Sequence, residues 1–107
     1  EPTFPMCVME VKPIGVFHMA DDKGPDEKII CVPVSDPIWN KLNDLHDINP
    51  HLLKEIEHFF EVYKDLENKQ VDVHGWGNVE EAREILQQCI DRFAAIENRP
   101  EGLFSIK

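Results

Sequence analysis

Behind Asn78-Val79-Glu80-Glu81, the residues Ala82, Ile85, Leu86, Cys89, Ile90, Phe93 and Ala94 recur at spacings of three, one, three, one, three and one. Such spacing draws one apolar stripe along a helix, so the fold must supply a second surface to bury it. Asn78 and Glu81 have the spacing of a capping box, with Asn in place of Ser or Thr. The pattern predicts a helix that ends near Asn98, before Pro100. A second stripe precedes it: Leu52, Leu53, Ile56, Phe59, Phe60 and Tyr63, opened by an Asn49 cap and Pro50 at the first helical position. Lys54, Glu55, Glu57, His58 and Glu61 fall on its other faces.

The surface that covers these stripes is expected to be a sheet. From Cys7 to Met19 the chain reads as extended, with Met9 and Val11 alternating with Glu10 and Lys12. Pro13 and Gly15 predict a bulge or bend before Val16, Phe17 and Met19 resume the strand. Lys28 opens a second strand, Ile29-Ile30-Cys31-Val32, which is apolar on both faces and is therefore expected to be central. Pro33 to Asn49 reads as irregular, with a short helical turn around Trp39 to Leu42. Gln70 to Trp76 alternates again and predicts a third strand ending at Gly75. Three strands and two amphipathic helices make an α+β domain spanning 1–107. So small a sheet leaves edges open, and the chain reads as part of a larger sheet or barrel.

The bulk properties narrow the function. The 107 residues are 42% hydrophobic and 30% charged, a globular balance with enough chain for one small core. No apolar run approaches the roughly 18 residues of a membrane span, and the first residues lack the pattern of a signal peptide. Cys7, Cys31 and Cys89 are odd in number, widely spaced and set among apolar neighbours, which fits reduced thiols acting as small hydrophobes in an intracellular protein. A formal net charge of −10 repels phosphate backbones and anionic lipid. An anionic substrate is compatible with it only when divalent cations stand between the two.

Two clusters can carry chemistry. In Asp21 to Lys28, Asp21 and Asp26 flank a Gly24-Pro25 turn that folds them toward one centre. Hard cations take carboxylate oxygens and keep several waters. Alternation puts Asp26 and Lys28 on one strand face, where the acid holds a cation and the amine meets its anion. The plain alternative is a solvated acidic turn. An EF-hand is excluded, because Lys23 and Pro25 occupy its third and fifth positions and Val32 its twelfth. The second cluster is Tyr63-Lys64, where a buried ring would bring its hydroxyl to a cleft beside a lysine charge. Its plain alternative is a core tyrosine next to a solvated lysine. The histidines at 18, 46, 51, 58 and 74 form no ligand pattern.

These residues, in order, resemble a known family. Pro13-Ile14-Gly15-Val16-Phe17-His18-Met19, then Asp21 to Lys28, then Ile30-Cys31-Val32-Pro33, resembles soluble family I inorganic pyrophosphatases. His58-Phe59-Phe60-Glu61-Val62-Tyr63-Lys64-Asp65-Leu66-Glu67 resembles that family's helix-end segment, and Gly75-Trp76 its next strand end. The resemblance runs from about Glu1 to Ile96. It implies hydrolysis of pyrophosphate to two phosphates with Mg2+, on a barrel of the OB type, here only partial, with two helices packed outside. Asp21 and Asp26 are then expected as magnesium ligands, Asp21 also as catalytic proton acceptor, and Lys28, Tyr63 and Lys64 as phosphate contacts. The helix bearing His58 resembles the family's trimer-interface helix, so a homo-oligomer is expected, a hexamer in bacterial relatives. The cytoplasm is the expected location, with an organelle as the alternative.

The family's Asp-x-Asp-x-x-Asp motif and its earlier strands have no counterpart in these residues. The resemblance therefore covers roughly the second half of such an enzyme, and the isolated chain is expected to be inactive. Two other readings stand beside the enzyme: a non-catalytic domain for metal, phosphate or oligomer contacts, and an acidic interaction module. The tail Glu101 to Lys107 carries no readable role.

Overall fold

A computed structural model describes residues 3–96. Strand β1 (Val11–Asp21) is followed by β2 (Gly24–Pro25) and β3 (Lys28–Pro33). Helix α1 (Pro50–Val62), strand β4 (Asp72–Gly77) and helix α2 (Val79–Ala94) complete the order. The fold is α+β, with a four-stranded antiparallel sheet that does not close into a barrel.

The central strand is β1. On one edge it pairs with β3 (Phe17 with Lys28) and β2 (Asp21 with Gly24), and on the other with β4 (Phe17 with Trp76). The expectation that Ile29–Val32 would be central is therefore corrected. Among the described residues β3 pairs only with β1, and its Cys31 side is exposed. Its apolar residues face a helix and a loop instead of a second strand. The expected start at Cys7 also moves, because Val8 is 97% exposed and Met6 holds a left-handed φ of 71°. Regular pairing begins only at Val11.

The predicted irregularity at Pro13 and Gly15 is a register shift in which Ile14 is the extra residue. The bulge sinks Ile14 into a cluster with Val32 and Ile48, joined by Ile30, Leu42, Leu45, Leu52 and Leu53. Gly15 is needed there, since a Cβ would meet Leu45 Cδ1 at 2.8 Å and Gly77 O at 3.1 Å. The N-terminal half of α1 covers this cluster through Leu52 and Leu53.

Both helix starts follow their sequence signals. Asn49 Oδ1 accepts from His51 N with Pro50 at the first helical position. Asn78 Oδ1 accepts from Glu81 N. The Glu81 carboxylate reaches His18 Nε2 on β1 at 3.0 Å, tying α2 to the sheet. The helix ends at Ala94, short of the expected end near Asn98, which lies outside the described residues along with the tail from Glu101. The turn expected around Trp39 to Leu42 is a run of hydrogen-bonded turns, and a 3₁₀ turn follows at Leu45–Asp47. There Asp44 Oδ1 accepts from Leu45 N and from Val79 N, the first residue of α2. The three cysteines are free thiols, but Cys31 and Cys89 are exposed rather than packed as small hydrophobes. Among the described residues no helix is long and apolar enough to cross a membrane.

Candidate functional site

The register brings the acidic loop and the end of α1 to one place. Phe17 pairs with Lys28, Ala20 with Pro25 and Asp21 with Gly24, while Asp26 N donates to Met19 O at 2.8 Å. Opposed residues of an antiparallel pair share a face, and residues two apart on one strand share it as well. Phe17, Met19 and Asp21 of β1 therefore lie on the same face as Gly24, Asp26 and Lys28. Asp21 and Asp26 are diagonal neighbours on that face, a relation with Cα atoms roughly 7–8 Å apart. Gly24, at φ 118°, makes the turn between them in a conformation that L side chains rarely adopt.

The last turn of α1 closes over this face because Phe60 lies on its apolar stripe. The Phe60 ring stacks on fully buried Phe17, with centroids 5.5 Å apart, and Phe17 contacts Trp76 of β4 at 4.8 Å. Tyr63 meets Phe60 edge-on at 5.7 Å and stacks on Phe59 at 5.4 Å. Tyr63 is half-buried, not fully buried as its place on the stripe suggested, because its neighbour Phe59 is itself exposed. The Lys28 ammonium sits 5.7 Å over the Phe60 ring, within the range of a cation–π contact.

The charged groups are paired. Lys64 Nζ donates to Asp21 Oδ2 at 2.8 Å, and Lys23 N donates to the other oxygen, Oδ1, at 2.9 Å. These two bonds, the Lys64 one foremost, hold the Asp21 carboxyl below the usual aspartate range against the opposing effect of burial. Reciprocally, the Asp21 carboxylate pushes Lys64 above the usual lysine range. Lys28 Nζ lies 2.9 Å from Asp26 Oδ1 in a second pair. All five residues expected from the sequence thus converge, and each carboxylate is matched with one lysine.

This donor set can be tested against a hard cation. Among the described residues no group of three or more His, Cys, Asp or Glu converges in a metal-binding arrangement. Two carboxylates on one sheet face, Asp21 10% and Asp26 28% exposed, nonetheless fit magnesium, which is commonly held by one or two carboxylates, several waters and substrate phosphates. Phe60, which lies under Lys28, and Phe17 and Trp76, which pack beside it, had no chemical signature in the sequence. Alternation and stripe membership would have been the only signals for them.

A family model described as inorganic pyrophosphatase matches residues 1–94. The chain is 55% identical over 93 residues to an inorganic pyrophosphatase of Methanosarcina mazei, covering 87% of this chain and 55% of the relative. It is 42% identical over 92 residues to one of Geobacillus stearothermophilus, covering 86% and 56%. The crystal structure of inorganic pyrophosphatase from Thermus thermophilus matches with a TM-score of 0.84 at 37% identity, over 88% of this chain and 56% of that one. The chain therefore spans about half the length of the relatives it matches.

Proposed function

Since this chain belongs to the inorganic pyrophosphatase family, we propose that it contributes the Asp21–Lys64 face to Mg2+-dependent hydrolysis of pyrophosphate to two phosphates. The observation that carries this reading is the convergence of two carboxylates and two ammoniums on one face, each acid beside one base. Asp21 and Asp26 would hold the magnesium. When bound, divalent cations supply Lewis-acid activation of a water and offset charge on the phosphates.

The chain's own residues divide the remaining work. Lys64 and the Lys23 amide keep Asp21 ionised, which also lowers its basicity, so its proposed part as proton acceptor is that of a weak base toward an attacking water. Lys28 and Lys64 offer ammonium charge to phosphate oxygens, and Tyr63 offers a hydroxyl at the same rim. Phe17, Phe60 and Trp76 form an apolar cluster whose Phe60 ring lies under Lys28. A protein of net charge −10 can take an anion this way, because the anion arrives with its cations.

Two carboxylates are a thin donor set for this chemistry, so we also propose that the 107 residues alone turn over little or no pyrophosphate. The non-catalytic alternative, metal and phosphate binding or oligomer contact without turnover, rests on the same observation. Exposed Phe59 and Val62 on α1, next to His58, support the homo-oligomeric contact we propose. Free thiols at Cys7, Cys31 and Cys89 support a reducing compartment, for which we propose the cytoplasm.

Phosphate release from pyrophosphate, with and without magnesium, tests the reading on a sample of verified intact mass. We expect no release from the chain alone, and magnesium-dependent release once the segment of a relative that this chain does not match is added. Robust turnover by the chain alone would overturn its insufficiency. Failure of Asp21→Asn and Asp26→Asn to weaken divalent-cation binding would overturn the site itself.

A further inference from the structure

A cavity of about 410 Å³ opens between β3, the start of α1 and the run of turns that follows β3. That volume falls within the roughly 300–1,000 Å³ of small-molecule sites. Its floor belongs to the core cluster: Ile14, Val32 and Ile48 are buried, and Ile30 and Leu52 pack against them. Such a floor is preformed, because these side chains already hold one another in place. Met9 and Trp39 also line the cavity, and at 42% and 38% exposed they stand at its mouth. None of Asp21, Asp26, Lys28, Tyr63 and Lys64 is among the lining residues.

Charge decides what such a cavity takes. Among the described residues that line it, Asp36 is the one acidic side chain, and no Lys, Arg or His is present. Asp36 is half-buried, and its Oδ1 accepts from Ile38 N at 2.8 Å, which fixes the carboxylate. None of the ion pairs among the described residues involves it. Trp39 follows three residues later in the same run of turns, where Asn40 N donates to Asp36 O at 2.8 Å. A carboxylate and an indole beside an apolar hollow suit an ammonium on a hydrocarbon body. The acid pairs with the charge, and the ring face attracts it. A neutral molecule would fill the hollow and leave Asp36 unpaired. An anion would meet both Asp36 and a net charge of −10. We therefore propose that this cavity binds a small organic amine, with its ammonium at Asp36 and Trp39 and its apolar body against Ile14, Ile30, Val32 and Leu52.

The test uses 4-phenylbutylamine as the probe, with 4-phenylbutanol and 4-phenylbutyrate as its neutral and anionic counterparts. Cys31 is an exposed free thiol that lines the cavity, so it reports occupancy directly. Cys89, an exposed thiol on α2 away from the cavity lining, is the internal reference. The full chain is labelled with N-ethylmaleimide, and the rate at each cysteine is read by peptide mass spectrometry. At an amine concentration about nine times its dissociation constant, roughly one cavity in ten is empty, so labelling at Cys31 should slow about ten-fold. Cys89 should be unaffected, and the alcohol and the carboxylate should protect Cys31 only at higher concentration. Asp36→Asn should weaken the amine about ten-fold, the scale of a charged hydrogen bond, with circular dichroism confirming the fold. With the segment of a relative that this chain does not match added, Cys31 should stay reactive and the amine should still protect it. Equal protection by amine and alcohol, or an unchanged amine affinity in Asp36→Asn, would overturn the cationic ligand. Labelling at Cys31 that ignores the amine, or equal slowing at Cys89, would overturn the site. Protection of Cys31 by the added segment alone would also overturn it, since the cavity would then be an internal contact of a larger fold.

Discussion

Asp44 Oδ1 accepts a hydrogen bond from the backbone N–H of Val79 at 2.9 Å, across 35 residues of sequence. Val79 is the first residue of α2, whose opening N–H groups have no partner within the helix. The same oxygen accepts from Leu45 N, so one carboxylate secures both a 3₁₀ turn and a distant helix. Asn78 caps α2 from within, and Asp44 caps it from outside.

Replacing Asp44 with Ala should lower the thermal midpoint by about 5 °C, the scale of a lost helix cap in a domain near this size. Asp44→Asn should recover part of the loss, because its amide oxygen can still accept. Thermal unfolding followed by circular dichroism measures both. A midpoint unchanged in Asp44→Ala would mean that the Val79 contact contributes nothing to stability.

The pH dependence of stability follows from the direction of the shifts. Asp21, Asp44 and Asp47 are all held below the ordinary aspartate value of 3.8. The unfolded chain therefore binds their protons first, and the stability they contribute is complete above that value and lost as pH falls through the folded ones. Lys64 lies above the ordinary lysine value of 10.5, so its contribution is complete below that value and lost as pH rises through the folded one. Urea midpoints should form a plateau through neutral pH with a fall at each end. Asp21→Asn should flatten part of both flanks, because it removes the partner of Lys64 as well.

Phe17 is fully buried and touches the rings of Phe60 and Trp76. Phe17→Ala should cost about 3–5 kcal/mol, the range for emptying a buried aromatic site. Phe17→Leu should cost less and keep Trp76 in an apolar setting. Urea unfolding followed by tryptophan fluorescence reports both quantities. A cost below about 1 kcal/mol for the alanine variant would contradict the described packing.

A Cβ on Gly77 would overlap the Glu81 carboxylate and approach Val16 Cγ1 at 2.8 Å. Gly77→Ala should therefore destabilise by about 1–3 kcal/mol, as overpacking does, while displacing Glu81 from His18. In a Glu81→Ala background the penalty should shrink but not vanish, since Val16 remains. A double-mutant cycle measured by urea unfolding gives the coupling. Simple additivity would exclude the Glu81 contact as the cause.

Local periodicity carried much of this fold, and its failures share one cause. The α1 start at Asn49-Pro50 and the α2 start at Asn78 were legible because each depends on residues within one turn. Asp26 and Lys28 were legible as one face because strand alternation is local. The central place of β1 was not, since it depends on β4 arriving from beyond α1 to take the second edge. Ile29-Ile30-Cys31-Val32 misled because apolar residues on both sides of a strand do not say whether a strand, helix or loop lies beside it. The Asp21–Lys64 bond spans 43 residues, and no spacing rule reaches so far. Glu81 had the capping-box position, yet its side chain turned to His18, a partner the motif cannot foresee.

The position of β1 also bears on how the chain folds. Its hairpin with β3 closes from neighbouring sequence, whereas its other edge is satisfied, among the described residues, by residues 72–77. Of the described elements, β3 can pair with β1 as soon as it leaves the ribosome, while the partner of the second edge arrives only with β4. An open edge is a template for pairing with another chain, and the interval is when misassembly is most exposed. α1 emerges within that interval, carrying Phe60, whose ring covers Phe17 from the face of the sheet in the folded structure. The order of elements along the chain therefore makes a cover for the sheet face available before the last strand of the sheet.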